Sequence, residues 1–225
     1  MEQNNNSVRR ADAKFQLLFE FMNIAIISSS TRLNRQSHRV ALGLVRFFGQ
    51  SGPHRVEVLD LAAYRFPLLE EVLHRHPNAP AGLLEFSEKV RQADGILFVS
   101  PEYNGSYTAA LKNAVDYLKE GEFMRKVIGV VSVTSGALGG IRAALSMQEL
   151  VLGVSAFPIP QMLLVGQVGQ KFDETGQLLD SAFEKNIHTY LGHFLWLAQA
   201  VTDKKAVDVE TSGQKESKIV PAAVL

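Results

Sequence analysis

The sequence contains no cysteine among its 225 residues. Without a thiol, the chain can form no disulfide framework, no cysteine-ligated zinc or iron–sulfur centre, and no catalysis built on a cysteine nucleophile. Any redox work must therefore be carried by a borrowed cofactor.

Neither sign of charge is in excess, because the chain has 23 Lys and Arg residues and 23 Asp and Glu residues. A net charge of zero argues against binding nucleic acid through bulk electrostatics, so no nucleic-acid partner is expected. No run of about 18 apolar residues occurs, so neither a transmembrane helix nor a membrane partner is expected. No secretory pattern is visible either, and we expect a cytoplasmic protein.

The apolar residues make up 46% of the chain, enough to bury a sizeable core in one domain. Short apolar runs typical of buried strands alternate with helical periods. The predicted strands lie at 24–27, 55–61, 95–100, 126–133 and 158–165, and the predicted helices at 40–48, 83–93, 111–118, 141–152 and 183–201. This alternation predicts an α/β fold, a doubly wound parallel sheet with helices on both faces.

Two segments of different composition flank the predicted domain. Residues 1–22 open with a polar, Asn-rich run and are interpreted as an N-terminal extension. Residues 203–225 turn polar and lysine-rich, which predicts a mobile C-terminal tail. The predicted domain is therefore 23–202.

The loop after the first strand, residues 28–37, combines hydroxyl side chains with Arg32 and Arg35. Ligands of doubly wound sheets bind at the carboxyl ends of the strands. Hydroxyls and free N–H groups at a helix N-terminus form an anion site, and arginines add charge-assisted hydrogen bonds to phosphate. The loop lacks both glycine-rich nucleotide fingerprints, which favours a terminal phosphate. The alternative is that the hydroxyls only cap the turn and helix, with the arginines solvated.

The loop after the third strand begins at Pro101, which fixes one backbone angle at the strand end. Asn104 and Gly105 permit positive φ, so the main chain can turn its N–H groups toward the edge of a planar ligand. Tyr103 can lie against a ring. The alternative is an ordinary turn with a half-buried aromatic side chain.

The loop after the fourth strand carries Gly136, Gly139 and Gly140 among small side chains. Such a loop lets a flat group approach the backbone closely. The alternative for each glycine is a tight turn with close helix–strand packing.

Three segments, each placed after its proper strand, together resemble the NAD(P)H-dependent FMN reductase family. They are Ser30-Thr31-Arg32 with Arg35 and Ser37; Pro101-Glu102-Tyr103-Asn104-Gly105-Ser106 leading into Leu111-Lys112-Asn113-Ala114; and Ser135-Gly136-Ala137-Leu138-Gly139-Gly140. The resemblance spans about 23–165, and Pro-Glu-Tyr-Asn is its most specific part. It implies a flavodoxin-like fold, a five-stranded parallel sheet of order 2-1-3-4-5.

The resemblance also implies an enzyme that binds FMN and takes a hydride from NADPH or NADH. Electrons would pass in a ping-pong cycle to a quinone, an azo dye, free flavin or a metal oxyanion, in a homodimer or homotetramer. The residues implied in FMN binding are Ser29, Ser30, Arg32, Arg35, Gln36, Ser37, Pro101, Glu102, Tyr103, Asn104, Gly105, Ser135, Gly136, Gly139 and Gly140. No catalytic side chain is implied, because the chemistry takes place at flavin N5.

Two other functions compete with this interpretation. A flavodoxin-type electron carrier would share the fold and FMN, but such carriers usually present a strongly acidic surface, which the balanced charge does not supply. A hydrolase at the same sheet edge is disfavoured, because the chain has neither a Gly-x-Ser-x-Gly elbow nor a cysteine. No metal site is expected, since His188 and His193 are five residues apart, off-register for one helix face.

Overall fold

A five-stranded parallel sheet forms the centre of the molecule. The computed structural model describes residues 21–118 and 120–217, with residues 120 and 210–217 described by their backbone only. Within these ranges the strands are β1 (Asn23–Ser28), β2 (Arg55–Asp60), β3 (Gly95–Pro101), β4 (Val127–Val133) and β5 (Phe157–Val165).

Helices connect and cover these strands. They are α1 (Ser37–Ser51), α2 (Leu61–Tyr64), α3 (Leu83–Gln92), α4 (Ala109–Asp116), α5 (Glu120–Phe123), α6 (Ile141–Gly153), α7 (Val168–Lys171) and α8 (Ser181–Ser217). Across the described ranges, no helix is both long enough and apolar enough to cross a bilayer.

The strand order is β2-β1-β3-β4-β5, and every neighbouring pair is parallel. This order confirms the fold that the resemblance implied. Because β1 lies between β2 and β3, the connections that leave β1 and β3 diverge at the carboxyl edge of the sheet. That divergence opens the crevice in which this class of fold binds ligands.

The sheet buries apolar side chains on both faces. On one face α1 and α8 meet, and the rings of Phe48 and Phe194 pack edge to face with centroids 6.0 Å apart. On the other face Phe86, Phe98 and Phe123 lie fully buried among residues of α3, α4 and α6. Central strands that are buried on both faces explain the uninterrupted apolar runs of the sequence.

The two ends of the predicted domain differ from the composition-based boundaries. Met22, assigned to the extension, is fully buried, and its carbonyl accepts the Arg55 N–H at 3.0 Å. At the other end, α8 continues to Ser217, so the predicted boundary at 202/203 lies within a helix. The polar residues there form i,i+4 pairs such as Lys204 with Asp208, which suit a helix. Residues 1–20 and 218–225 lie outside the described residues.

The long connection between α2 and α3 is irregular, and side chains in and just after α4 bond to it. The Asn113 amide donates to the Pro67 carbonyl at 2.7 Å and accepts the Leu69 N–H at 2.9 Å. The Tyr117 hydroxyl donates to the same Pro67 carbonyl at 3.2 Å. The connection therefore lies against α4, next to the carboxyl edge of the sheet.

Candidate functional site

Three loops meet at the carboxyl edge of the sheet: loop 1 (29–36), loop 2 (102–108) and loop 3 (134–140). The Thr108 hydroxyl donates to the Ser29 carbonyl at 3.1 Å and accepts the Leu111 N–H at 3.2 Å, so it joins loop 1 to the start of α4. The Ser29 N–H donates to Val99 of β3 at 3.0 Å. Loops 1 and 2 are thus fixed to each other before any ligand is considered.

Two buried hydroxyls flank loop 1, one directly after β1 and one at the start of α1. The Oγ atoms of Ser29 and Ser37 are buried and have no hydrogen-bond partner within the described part of the chain. Gln36, at the N-cap position, makes no capping bond with its side chain, which instead donates to the Asn34 carbonyl at 3.1 Å. Buried unpaired hydroxyls are costly, and an anion at the N-terminus of α1 would suit that of Ser37. Neither of these two hydroxyls caps a backbone group of the described residues.

The two arginines of loop 1 have different surroundings. Arg32 is exposed, with its guanidinium 5.4 Å from the centre of the Tyr103 ring. Arg35 is bound instead by Asp60: Nη1 donates to Oδ1, and Nη2 donates to Oδ2 at 2.6 Å. Arg35 Nη1 also donates to the Ser30 carbonyl at 3.1 Å. Sequence reasoning paired both arginines with phosphate and missed the carboxylate.

Asp60 and His38 set the local charge beside loop 1. Burial raises the pKa of Asp60, but hydrogen bonds from Arg35 and from the Ala62 N–H outweigh it and hold the value below the usual range. Burial, together with Arg35, lowers the pKa of His38 against the opposing effect of Asp60. His38 Nδ1 is hydrogen-bonded to Ser28 Oγ at 3.0 Å. At neutral pH the carboxylate is therefore ionised and the imidazole is neutral.

Loop 2 is a tight turn with a tyrosine at its base. Asn104 and Gly105 have φ values of 52° and 86°, which confirms the predicted left-handed conformation. Tyr103 and Ser106 exchange backbone hydrogen bonds across the turn at 2.8 and 3.1 Å. The Tyr103 hydroxyl is hydrogen-bonded to Ser30 Oγ at 2.9 Å. The turn is therefore bonded to loop 1 through the side chain of Tyr103.

Glu102 joins loop 2 to α6. Its carboxylate accepts hydrogen bonds from Arg142 at 2.6 and 3.1 Å and from the Ala143 N–H at 3.4 Å. Burial raises the pKa of Glu102, but these hydrogen bonds hold it below its usual value. Its side chain is thus engaged by the first turn of α6.

The glycines of loop 3 divide into two kinds. Gly139 and Gly140 have positive φ, and a Cβ added at Gly140 would lie 2.1 Å from Ser132 Oγ. Close packing therefore requires these two. Gly136 is exposed, as is Ser135, and a Cβ on Gly136 would have no neighbour within 4 Å. Space for a flat group is thus found at Gly136.

The start of α7, just after β5, is bonded to loop 3. The carbonyls of Gly136 and Thr134 accept hydrogen bonds from Gln167 and Val168 at 3.0 and 3.1 Å. Sequence reasoning did not connect this segment to the site. It also missed Thr108, whose position three residues before Leu111 is the usual signal of an N-cap.

The chain is similar in sequence to known FMN, quinone and azo reductases. A family model described as NADPH-dependent FMN reductase matches residues 22–170. A quinone reductase of Pseudomonas putida is 31% identical over 164 residues, covering 70% of this chain and 84% of that protein. An NADPH azoreductase of Bacillus sp. is 34% identical over 122 residues, covering 54% and 67% of the two chains.

Among solved structures, the flavoenzyme NAD(P)H:(acceptor) oxidoreductase FerB from Paracoccus denitrificans superposes with a TM-score of 0.68. The two chains are 20% identical, and the match covers 80% of this chain and 98% of FerB. At that identity the likeness supports the fold. The three loops lie within the 22–170 range of the family match.

Proposed function

The chain belongs to the NADPH-dependent FMN reductase family, and from that premise we propose that it passes electrons from NADPH or NADH to quinones, azo compounds, free flavin or metal oxyanions. Family membership makes it an oxidoreductase with FMN as its cofactor. The quinone and azo acceptors are proposed from the names of the relatives. One observation carries the proposal: the buried, unpaired hydroxyls of Ser29, after β1, and Ser37, at the start of α1, suit a terminal phosphate.

The residues present fit FMN at three points. Loop 1 supplies hydroxyls, a helix N-terminus and Arg32 for the phosphate. Loop 2 offers a left-handed turn for the edge of the ring system, and Gly136 leaves open space for its pyrimidine end. We propose as ligands the residues named from the sequence: Ser29, Ser30, Arg32, Arg35, Gln36, Ser37, Pro101, Glu102, Tyr103, Asn104, Gly105, Ser135, Gly136, Gly139 and Gly140.

The protein's own contribution to the reaction is binding, orientation and polarity. When bound, FMN supplies hydride chemistry at N5, so no side chain of the site needs to act as a general acid or base. The backbone N–H groups of Asn104 and Gly136 would stabilise negative charge on a ring held between loops 2 and 3. The nucleotide and the acceptor are proposed to use one ring face in turn, which gives ping-pong kinetics.

The absorbance of the purified full-length protein tests this proposal. We expect a bound flavin spectrum that NADPH bleaches rapidly in anaerobic stopped-flow mixing. Steady-state rates at several quinone concentrations should give parallel double-reciprocal lines. A protein that neither contains nor binds FMN would overturn the proposal. A flavin that stays oxidised until a separate reductase is added would instead favour the flavodoxin-type carrier.

We further propose that the predicted unit 23–202, together with Met22, which packs into its core, forms the working domain, and that two or four copies assemble. Light scattering of the full-length protein measures the assembly, and a monomer at working concentration would contradict it.

A further inference from the structure

The carboxylate of Asp60 already binds Arg35, the residue of loop 1 that was predicted to bind an anion. Both terminal nitrogens of Arg35 donate to it, one to each oxygen. A phosphate binds a guanidinium through the same two parallel hydrogen bonds. Asp60 therefore holds Arg35 in the manner in which a phosphate would hold it.

The position of Asp60 is fixed from the backbone. It is the last residue of β2 and the N-cap of α2, and its Oδ1 accepts the Ala62 N–H at 3.0 Å. The side chains of Arg35 and Asp60 are only 20% and 21% exposed, so water screens the pair weakly. The carboxylate is ionised at neutral pH, as its lowered pKa shows.

Arg35 joins the Asp60 carboxylate to the loop in which an anion site is proposed. It precedes Ser37, whose unpaired hydroxyl opens α1, by two residues, and its guanidinium also contacts the Ser30 carbonyl. The charges of Arg32, Arg35 and Asp60 sum to one positive charge, whereas the phosphate of FMN is a dianion.

We propose that Asp60 sets the affinity of this site for the flavin phosphate by competing with the phosphate for Arg35. The inference rests on the proposed function, and it assigns to Asp60 a role in affinity without contact with the flavin. Replacing the carboxylate by its amide isostere would leave at most one acceptor for Arg35, break the two-bonded, charge-assisted pairing, and remove one negative charge from the site.

Flavin titrations of the full-length, flavin-free protein test this role. Asp60→Asn keeps a side-chain oxygen for the Ala62 N–H, and it should lower the Kd for FMN about tenfold, the worth of a hydrogen bond to a charged group. The Kd for riboflavin, which lacks the phosphate, should stay unchanged. In an Arg35→Ala background, Asp60→Asn should change the Kd for FMN by less than about threefold, because the contested guanidinium is gone.

Glu57→Gln is the matched control. Glu57 is also an ion-paired acid of β2, but its partner is Lys89 of α3, at 2.6 Å, and not a residue of loop 1. This variant should bind FMN like the wild type.

An unchanged Kd for FMN in Asp60→Asn would overturn the inference. A higher Kd would also overturn it, because it would show that the ion pair of Arg35 and Asp60 positions loop 1 for binding. An equal gain for riboflavin, or a gain that survives Arg35→Ala, would also overturn it. If Asp60→Asn fails to fold, Asp60→Ser retains a capping oxygen and carries the same expectation. Wild-type protein that binds no FMN refutes the proposed function itself, whereas normal wild-type binding without a gain in the variant refutes only the role of Asp60.

Discussion

The hydroxyls of Tyr103 and Ser30 lie 2.9 Å apart and bond the turn of loop 2 to loop 1. The ring of the same tyrosine carries the Arg32 guanidinium 5.4 Å from its centre. Tyr103 therefore connects the segment proposed for the phosphate with the segment proposed for the ring system.

Removing this hydroxyl should weaken flavin binding modestly. Tyr103→Phe keeps the ring and loses the bond to Ser30, so we expect the Kd for FMN to rise about fivefold, the net worth of one hydrogen bond. Fluorescence titration measures it. Tyr190→Phe, a core tyrosine of α8 outside the three loops, is the control and should leave the Kd for FMN unchanged. Equal affinities of Tyr103→Phe and wild type would show that the bond does not support the site.

Of the two arginines of loop 1, Arg32 is expected to contribute more to binding the phosphate of FMN. Arg32→Ala should raise the Kd for FMN about tenfold or more and leave that for riboflavin unchanged, because charge-assisted hydrogen bonds are lost. Arg35→Ala should raise the Kd for FMN by a smaller factor, because Asp60 already binds that guanidinium. Arg46→Ala, on the exposed side of α1, serves as the control. Wild-type affinity in both loop 1 variants would show that the phosphate assignment is wrong.

The ion pair of Arg35 and Asp60 should make stability depend on acid pH. The folded pKa of Asp60 lies below its unfolded value of 3.8. Its stabilisation is therefore fully present above the unfolded pKa and is lost as pH falls through the folded pKa. Urea unfolding should show wild type more stable than Asp60→Asn at neutral pH, with the difference shrinking below about pH 4. A difference that does not change with pH would contradict the assignment.

Gly140 should tolerate no side chain. Gly140→Ala places a Cβ 2.1 Å from Ser132 Oγ at a φ of 76°, so we expect destabilisation; clash and backbone strain together should cost about 2 kcal/mol or more. Gly153→Ala at the other end of α6 meets nothing within 4 Å and should be neutral or slightly stabilising. Thermal unfolding of both variants measures the difference in stability. Similar Tm values would refute the packing role of Gly140.

The sheet could be predicted from the sequence because its central strands are buried on both faces. The run from Ile96 to Val99 is apolar at every position, and each of these residues is fully buried. The helix beyond Thr202 could not be predicted from composition, because the same lysines and acids suit a solvated tail and an i,i+4-paired helix alike. Strand order came with the family resemblance, since local patterns do not encode which strands are neighbours.

The site was predictable as three loops but not as a set of contacts. Positive φ at Asn104 and Gly105 followed from residue type alone. The pairing of Arg35 with Asp60 joins residues 25 apart in the sequence, and only the parallel pairing of β1 and β2 brings them together. For the same reason, sequence alone could not separate Gly140, which packs against Ser132, from Gly136, which faces open space.

The hydroxyl of Thr108 has a consequence for the thermodynamics of binding. By joining Ser29 to the start of α4, it makes the ordering of loops 1 and 2 part of folding. Immobilising a side chain at the moment of association costs about 0.5–1.5 kcal/mol each. When a ligand meets loops that are already in place, the protein loses little conformational entropy on binding.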